Sequence, residues 1–329
     1  MSGALANFPA TMVLVAIPRD VMWAYLATGV VFAIGLAAMS VRGEWKKARG
    51  FDTLILFGPI FYAAPLAAFG TEHFTLTKDI ASIVPPWMPW HLFWTYFVGA
   101  CFIAAPLSLV TRIQARLSAS LLALTFFLFV ALMDLPAWVQ TPHDRFALTV
   151  ALRELSFSGG ALALAASLTG EVADRGRQQL AGVLATIARY FMAIAVLFFS
   201  FEQFKHADHV PGVPLELVTP TWIHGHAVWT YLAAVVYAVA GAFLLIGKKT
   251  RVAAAWLGYT VLFLILVVYV PMGIVYRGQL ANGFNYPADT LMYCGALLLL
   301  AGAMPRERAR REEGADPSLG QLSVRKVSG

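Results

Sequence analysis

Charge is scarce in this chain. Of its 329 residues only 13% are Asp, Glu, Lys or Arg, against about a quarter in an ordinary soluble domain. Cysteine is scarcer still. Cys101 and Cys294 stand far apart in apolar runs, which excludes a disulfide framework, a Cys-x-x-Cys redox motif and a thiolate metal centre. Thiol–disulfide catalysis by this chain alone is disfavoured for the same reason. No Walker-type phosphate loop, no Gly-x-Gly-x-x-Gly opening a βαβ unit, no Gly-x-Ser-x-Gly and no His-Glu-x-x-His occurs in a usable context, so none of the chemistries those motifs carry is signalled. What fills the chain is apolar: 59% of it is hydrophobic. A net charge of +6 in so apolar a sequence marks a membrane protein rather than a nucleic-acid binder.

A membrane-crossing helix needs about 20 mainly apolar residues. Nine stretches qualify, near 21–40, 52–71, 91–110, 117–136, 149–168, 187–205, 226–246, 252–271 and 287–304. The expected fold is therefore an all-α integral membrane bundle. Residues 1–18 lack a basic start and a small-residue cleavage site, which argues against a cleaved signal peptide. Basic clusters at Arg42/Lys46/Lys47/Arg49, Arg112/Arg116, Arg175/Arg177, Lys248/Lys249/Arg251 and Arg306/Arg308/Arg310/Arg311 fall in alternate connections. The positive-inside rule puts that side in the cytoplasm. Nine spans then place the N-terminus outside and the C-terminus inside, in a bacterial inner membrane. All seven histidines (His73, His91, His143, His206, His209, His224 and His226) gather on the opposite, outer side, so any chemistry is expected there.

The sequence also repeats. Phe69-Gly-Thr-Glu72-His-Phe74 matches Phe199-Ser-Phe-Glu202-Gln-Phe204, and Trp94-Thr-Tyr96 matches Trp229-Thr-Tyr231. Arg116 matches Arg251, Pro136 matches Pro271, Glu154 matches Asp289, and Gly160-Ala-Leu162 matches Gly295-Ala-Leu297, each 135 positions on. The expected organisation is an N-terminal segment with a leading helix (1–50), a four-helix repeat at 51–170, a second at 180–304, and a disordered cytoplasmic tail at 305–329. Two repeats with an even number of helices are parallel, not inverted.

With Val210-Pro-Gly-Val-Pro214, Thr219-Pro-x-Trp222 and Gly247-Lys-Lys-x-Arg251 added to these motifs, the chain resembles the DoxX-like membrane proteins in both repeats. The resemblance implies compact four-helix membrane bundles. It also implies a membrane component of a redox or respiratory system, with a quinone held near the outer face and a membrane or periplasmic redox partner. Its alternatives are a carrier for an apolar or amphipathic molecule, or a non-catalytic scaffold.

Candidate site residues follow from cost. Glu72 and Glu202, at the outer ends of the first helix of each repeat, are expensive near hydrocarbon and need a partner or a wet cavity. Each is a ligand-binding acid or a structural hydrogen-bond acceptor for loop backbone or Trp N–H. Arg153, Glu154 and Asp289 open the fourth helices, where they bind a polar head group or merely favour the helix dipole, with Arg153 or Arg145 pairing Glu154. Trp94, Tyr96, Trp229 and Tyr231 form an interfacial aromatic belt first and a stacking surface for quinone or lipid second. Glu202, His206 and His209 share a helical face at i, i+4 and i+7 and could ligate zinc, copper or iron. Pro211 threatens that arrangement by pushing the chain out of helix just there. Histidines confined to one surface cannot supply paired axial ligands, which disfavours haem.

Overall fold

The computed structural model describes residues 17–46, 48–169 and 174–305. The expected tail, most of the segment before the leading helix, Lys47 and the basic residues after Pro305 lie outside them. Every element among the described residues is helical, apart from a single antiparallel bridge between His209 and Val218. In chain order the helices are α1 (Arg19–Val41), α2 (Asp52–Ile55), α3 (Gly58–Thr75), α4 (Thr77–Ile83), α5 (His91–Thr111), α6 (Ala115–Phe129) and α7 (Leu135–Gln140). They continue with α8 (Arg145–Ser167), α9 (Arg175–Lys205), α10 (His226–Ile246), α11 (Thr250–Leu264), α12 (Val270–Val275) and α13 (Tyr286–Ala303).

Eight helical segments, with α2–α3, α6–α7 and α11–α12 each counted as one, are long and apolar enough to cross a membrane. The ninth expected stretch is α13. It spans 18 residues, opens on Pro287 and Asp289, and buries thirteen of its side chains or glycines inside the protein. Its neighbours, rather than lipid, surround it. The outer helices show the opposite pattern. Leu117, Leu121, Leu124 and Leu128 form an exposed stripe along α6, as do Val228, Leu232, Val235 and Val239 along α10. Leucine and valine facing outward at helical spacing are stable only against an apolar surrounding, so these faces meet the bilayer.

Packing runs around a closed circuit. α3 lies on α5, α5 on α6, α6 on α8, α8 on α9, α9 on α10, α10 on α11, α11 on α13, and α13 returns to α3. α8 and α13 also pack on each other through the centre, while α1 lies outside against α3 and α5. Two lobes result. Lobe one is the ring α3, α5, α6 and α8, closed by α13; lobe two is α9, α10, α11 and α13, closed by α8. Glycine makes the central crossings possible. A β-carbon at Gly160 would sit 2.6 Å from the Ala296 β-carbon, and one at Gly295 would fall on the Phe61–Tyr62 backbone. Small residues let membrane helices approach this closely.

Element bounds recur 135 positions apart: His91–Thr111 with His226–Ile246, Ala115–Phe129 with Thr250–Leu264, and Leu135–Gln140 with Val270–Val275. The π-helical stretches Val130–Asp134 and Ile265–Tyr269 share that spacing. Each precedes a proline, Pro136 or Pro271, whose missing N–H breaks the regular ladder and lets the wider turn form. Left-handed residues recur too, at Trp90 and Gly225, Arg112 and Gly247, and Gln114 and Lys249.

Candidate functional site

The lobes differ inside. Lobe one encloses a cavity of about 500 Å³ with walls supplied mostly by apolar side chains, among them Phe69, Val98, Phe102, Phe126 and Phe157. Its polar end is built by three distant parts of the chain. Arg153 of α8 donates through Nη1 to Asp289 Oδ2 of α13 and through Nη2 to Glu154 Oε1, both at 2.8 Å. Glu72, near the end of α3, accepts at 3.4 Å from Asn285 Nδ2, just before α13. Arg153 also lies 5.8 Å from the centre of the Phe157 ring. Two short charge-assisted bonds from one guanidinium fix its plane and orient both carboxylates.

Pairing at this end is incomplete. Glu72 Oε1, Glu154 Oε2 and Asn285 Oδ1 are buried acceptors with no hydrogen-bond partner in the protein; Arg153 Nε and Trp94 Nε1 are buried donors in the same condition. All five belong to residues that line the cavity. Nearby Asp134, the last residue of the first π-helical stretch, has an unpaired Oδ2 as well. His73 Nδ1 lies 2.7 Å from the Phe69 carbonyl. A carbonyl only accepts, so that nitrogen carries the proton and Nε2 is left as an acceptor in the neutral ring.

Lobe two is filled by its own chain. The segment from Val210 to Leu215 is buried, although it is loop. A single peptide group holds it in place: Gly212 N–H donates to Gln203 Oε1 at 3.0 Å, and the Pro211 carbonyl accepts from Tyr269 Oη at 2.8 Å. Gly212 adopts φ +107, which suits glycine, and faces Tyr237, Leu264 and Thr290. Arg145 fixes the far end of the loop by donating to the Pro214 and Leu215 carbonyls at 2.9 and 3.2 Å.

The structure brings five of the sequence candidates together at the lobe-one cavity: Glu72, Trp94, Arg153, Glu154 and Asp289. Four others lie elsewhere. Glu202 sits 3.6 Å from Arg145 and 3.8 Å from His206. Trp229 Nε1 donates to the His224 carbonyl at 3.1 Å. Tyr96 and Tyr231 are exposed and rest on Phe74 and Phe204. Of the two partners expected for Glu154, Arg153 takes the place and Arg145 pairs with Glu202 instead. One expected pairing is corrected: Glu72 bonds the Asn285 side chain, not loop backbone or a tryptophan N–H. Glu154 does not open its helix either, because α8 begins at Arg145, where the Asp144 side chain caps it. His73 and Asn285 are cavity-lining residues that were not among the sequence's candidates for this site. Asn285 lies 213 positions from Glu72, a separation no local motif reveals.

The proposed Glu202, His206, His209 helical face does not form, since α9 ends at Lys205 and His209 is in the loop. Asp208 joins instead, so that His206, Asp208 and His209 carry potential ligand atoms all within 4.8 Å of one another. His209 Nδ1 lies 3.0 Å from Asp208 Oδ1, and this hydrogen bond holds the Asp208 carboxyl below its ordinary range. No protein-family model matches the chain, and no curated protein and no solved structure matches it either.

Proposed function

We propose that this polytopic membrane protein binds an amphipathic small molecule taken from the bilayer, with its apolar body in the lobe-one cavity and its polar head at Arg153, Glu154, Asp289 and Glu72. One observation carries the reading: an apolar cavity of about 500 Å³ ends in buried polar atoms that the protein leaves unpaired. Ligand sites are mostly apolar pockets of about 300–1,000 Å³ with a few convergent polar groups. A buried polar atom without a partner costs about 1–3 kcal/mol, and several at one end of a cavity favour an occupant that pairs them.

We read the chain as a DoxX-like protein duplicated in tandem, with α13 as a ninth span, the N-terminus outside and the C-terminus in the bacterial cytoplasm. The 135-position recurrence of helices, π-helical stretches and left-handed turns supports duplication. The two units share their fourth helices at the centre, α13 closing the first ring and α8 the second, so neither ring closes on its own. A second reading, a component of a membrane redox system that holds a quinone there, is favoured by Arg153 Nε and Trp94 Nε1, two donors suited to carbonyl oxygens.

The test is what travels with the protein. Purified in mild detergent and extracted for mass spectrometry, the wild type should yield about one equivalent of a defined amphiphile. Val98→Trp, which fills the cavity, should yield none. Identical extracts from the two proteins would refute the binding reading; a stoichiometric quinone would decide for the redox one.

A further inference from the structure

The filled lobe is a template for the open one. At one level in lobe two, Gln203 and Tyr269 grip the two polar atoms of the peptide group between Pro211 and Gly212. Their sequence counterparts in lobe one are His73, which follows Glu72 as Gln203 follows Glu202, and Asp134, which ends its π-helical stretch as Tyr269 does. Tyr237 and Leu264, which face Gly212, correspond to Phe102 and Phe129. Both of those line the open cavity, and so does His73. The place taken by a loop peptide in lobe two is therefore empty space in lobe one.

The chemistry of the grip has changed. Lobe two offers one acceptor, Gln203 Oε1, and one donor, the Tyr269 hydroxyl, which match an amide. Lobe one offers acceptors at both places, the free ring nitrogen of His73 and the Asp134 carboxylate, and adds the unpaired Glu72 Oε1 and Glu154 Oε2. Against four carboxylates at or near the cavity end stands one guanidinium, Arg153, whose Nε still lacks an acceptor. A head that only accepts, such as an ether or ketone, leaves the carboxylates unmet. An ammonium head meets them but, having only donors, gives nothing to Arg153 Nε or to Trp94 Nε1. A hydroxyl both donates and accepts.

We infer that the lobe-one cavity selects a molecule whose head carries at least two neighbouring hydroxyl groups, donated to Glu72 and Glu154 while Arg153 Nε–H and Trp94 Nε1–H donate to their oxygens. The inference rests on the binding reading above and specifies its ligand class.

A matched pair of probes tests it: decane-1,2-diol and 1,2-dimethoxydecane, which share a chain and differ in donors. Binding is measured by native mass spectrometry of the protein in nanodiscs, with Val98→Trp giving the non-specific background. Wild type should bind the diol about tenfold tighter than the diether, the effect of leaving buried acceptors unpaired. Glu72→Gln, an isosteric change that retains an acceptor and supplies N–H donors of its own, should cut that preference to about threefold or less. Equal binding of diol and diether above background overturns the head-group assignment and leaves cavity binding standing. Neither probe exceeding the Val98→Trp background overturns both. Because the diol-to-diether ratio is read on wild type, that comparison does not depend on any variant folding.

Discussion

Arg153→Met removes the hub of the cavity's polar end and should destabilise the protein severely. Arg153 contacts Glu154 and Asp289 at 2.8 Å, and all three side chains are at most 17% exposed. At an effective dielectric constant of about 20, a pair of unit charges about 4 Å apart is worth about 4 kcal/mol. Two such attractions are offset in large part by the desolvation of the guanidinium, which methionine no longer requires. What remains is the cost of stranding buried carboxylates, about 3–5 kcal/mol when one partner of a buried pair is lost. The assay is equilibrium unfolding in mixed micelles of mild detergent and sodium dodecyl sulfate, followed by tryptophan fluorescence. The triple variant Arg153→Met, Glu154→Gln, Asp289→Asn removes the stranded charge together with the cation and should recover to within about 2 kcal/mol of wild type. A triple variant as unstable as Arg153→Met alone would refute the electrostatic argument and assign the loss to packing. A loss below about 1 kcal/mol in Arg153→Met would refute it outright, since surface pairs are worth no more than that.

Gly295→Ala should cost about 3 kcal/mol or more in the same assay, because its β-carbon meets the Phe61–Tyr62 backbone rather than a movable side chain. Gly182→Ala, with open space around it in α9, should instead stabilise by up to about 1 kcal/mol through helix propensity. Tyr269→Phe strands the Pro211 carbonyl in lobe two. It should cost about 1–3 kcal/mol and speed amide hydrogen exchange over residues 212–215; unchanged exchange there would mean that the peptide grip does not hold the loop. Asp208 has its carboxyl lowered by the hydrogen bond from His209, with His206 also nearby. A depressed carboxyl contributes stability that is present above its ordinary pKa of about 3.9 and is lost as pH falls through the folded value. Exchange at residues 209–219 should therefore accelerate beyond its intrinsic pH trend below about pH 4 in wild type, and Asp208→Asn should remove that excess.

Much of the fold was legible because a hydrocarbon core demands long apolar runs. The run over 91–110 maps onto the helix His91–Thr111, and that over 226–246 onto His226–Ile246. Ends were less legible where polar residues extend a helix beyond the apolar stretch. The span expected from 187 begins at Arg175, where Asp174 caps a first turn that an apolar window does not register. The polar residues of the cavity were visible one at a time as costly charges in an apolar setting, as with Glu72 and Glu154. Their grouping was not. Arg153 meets Asp289 across 136 positions, and nothing in the neighbourhood of either encodes the other. The difference between the lobes was hidden for a similar reason, since Val210-Pro-Gly-Val-Pro214 reads as a stiff surface connection. Its burial depends on Gln203 and Tyr269, which lie on two other helices.

The order of synthesis gives the shared fourth helices a further meaning. Lobe one takes Asn285, Asp289 and Met292 from the last described helix and the residue before it, so its cavity lacks one wall until α13 has been made and inserted. A product stopped after α8 would carry Arg153 and Glu154 in the membrane without Asp289, together with a bare face of α3 where α13 packs. The polar end of the cavity is complete only when α8 and α13 stand side by side, with Arg153 between Glu154 and Asp289.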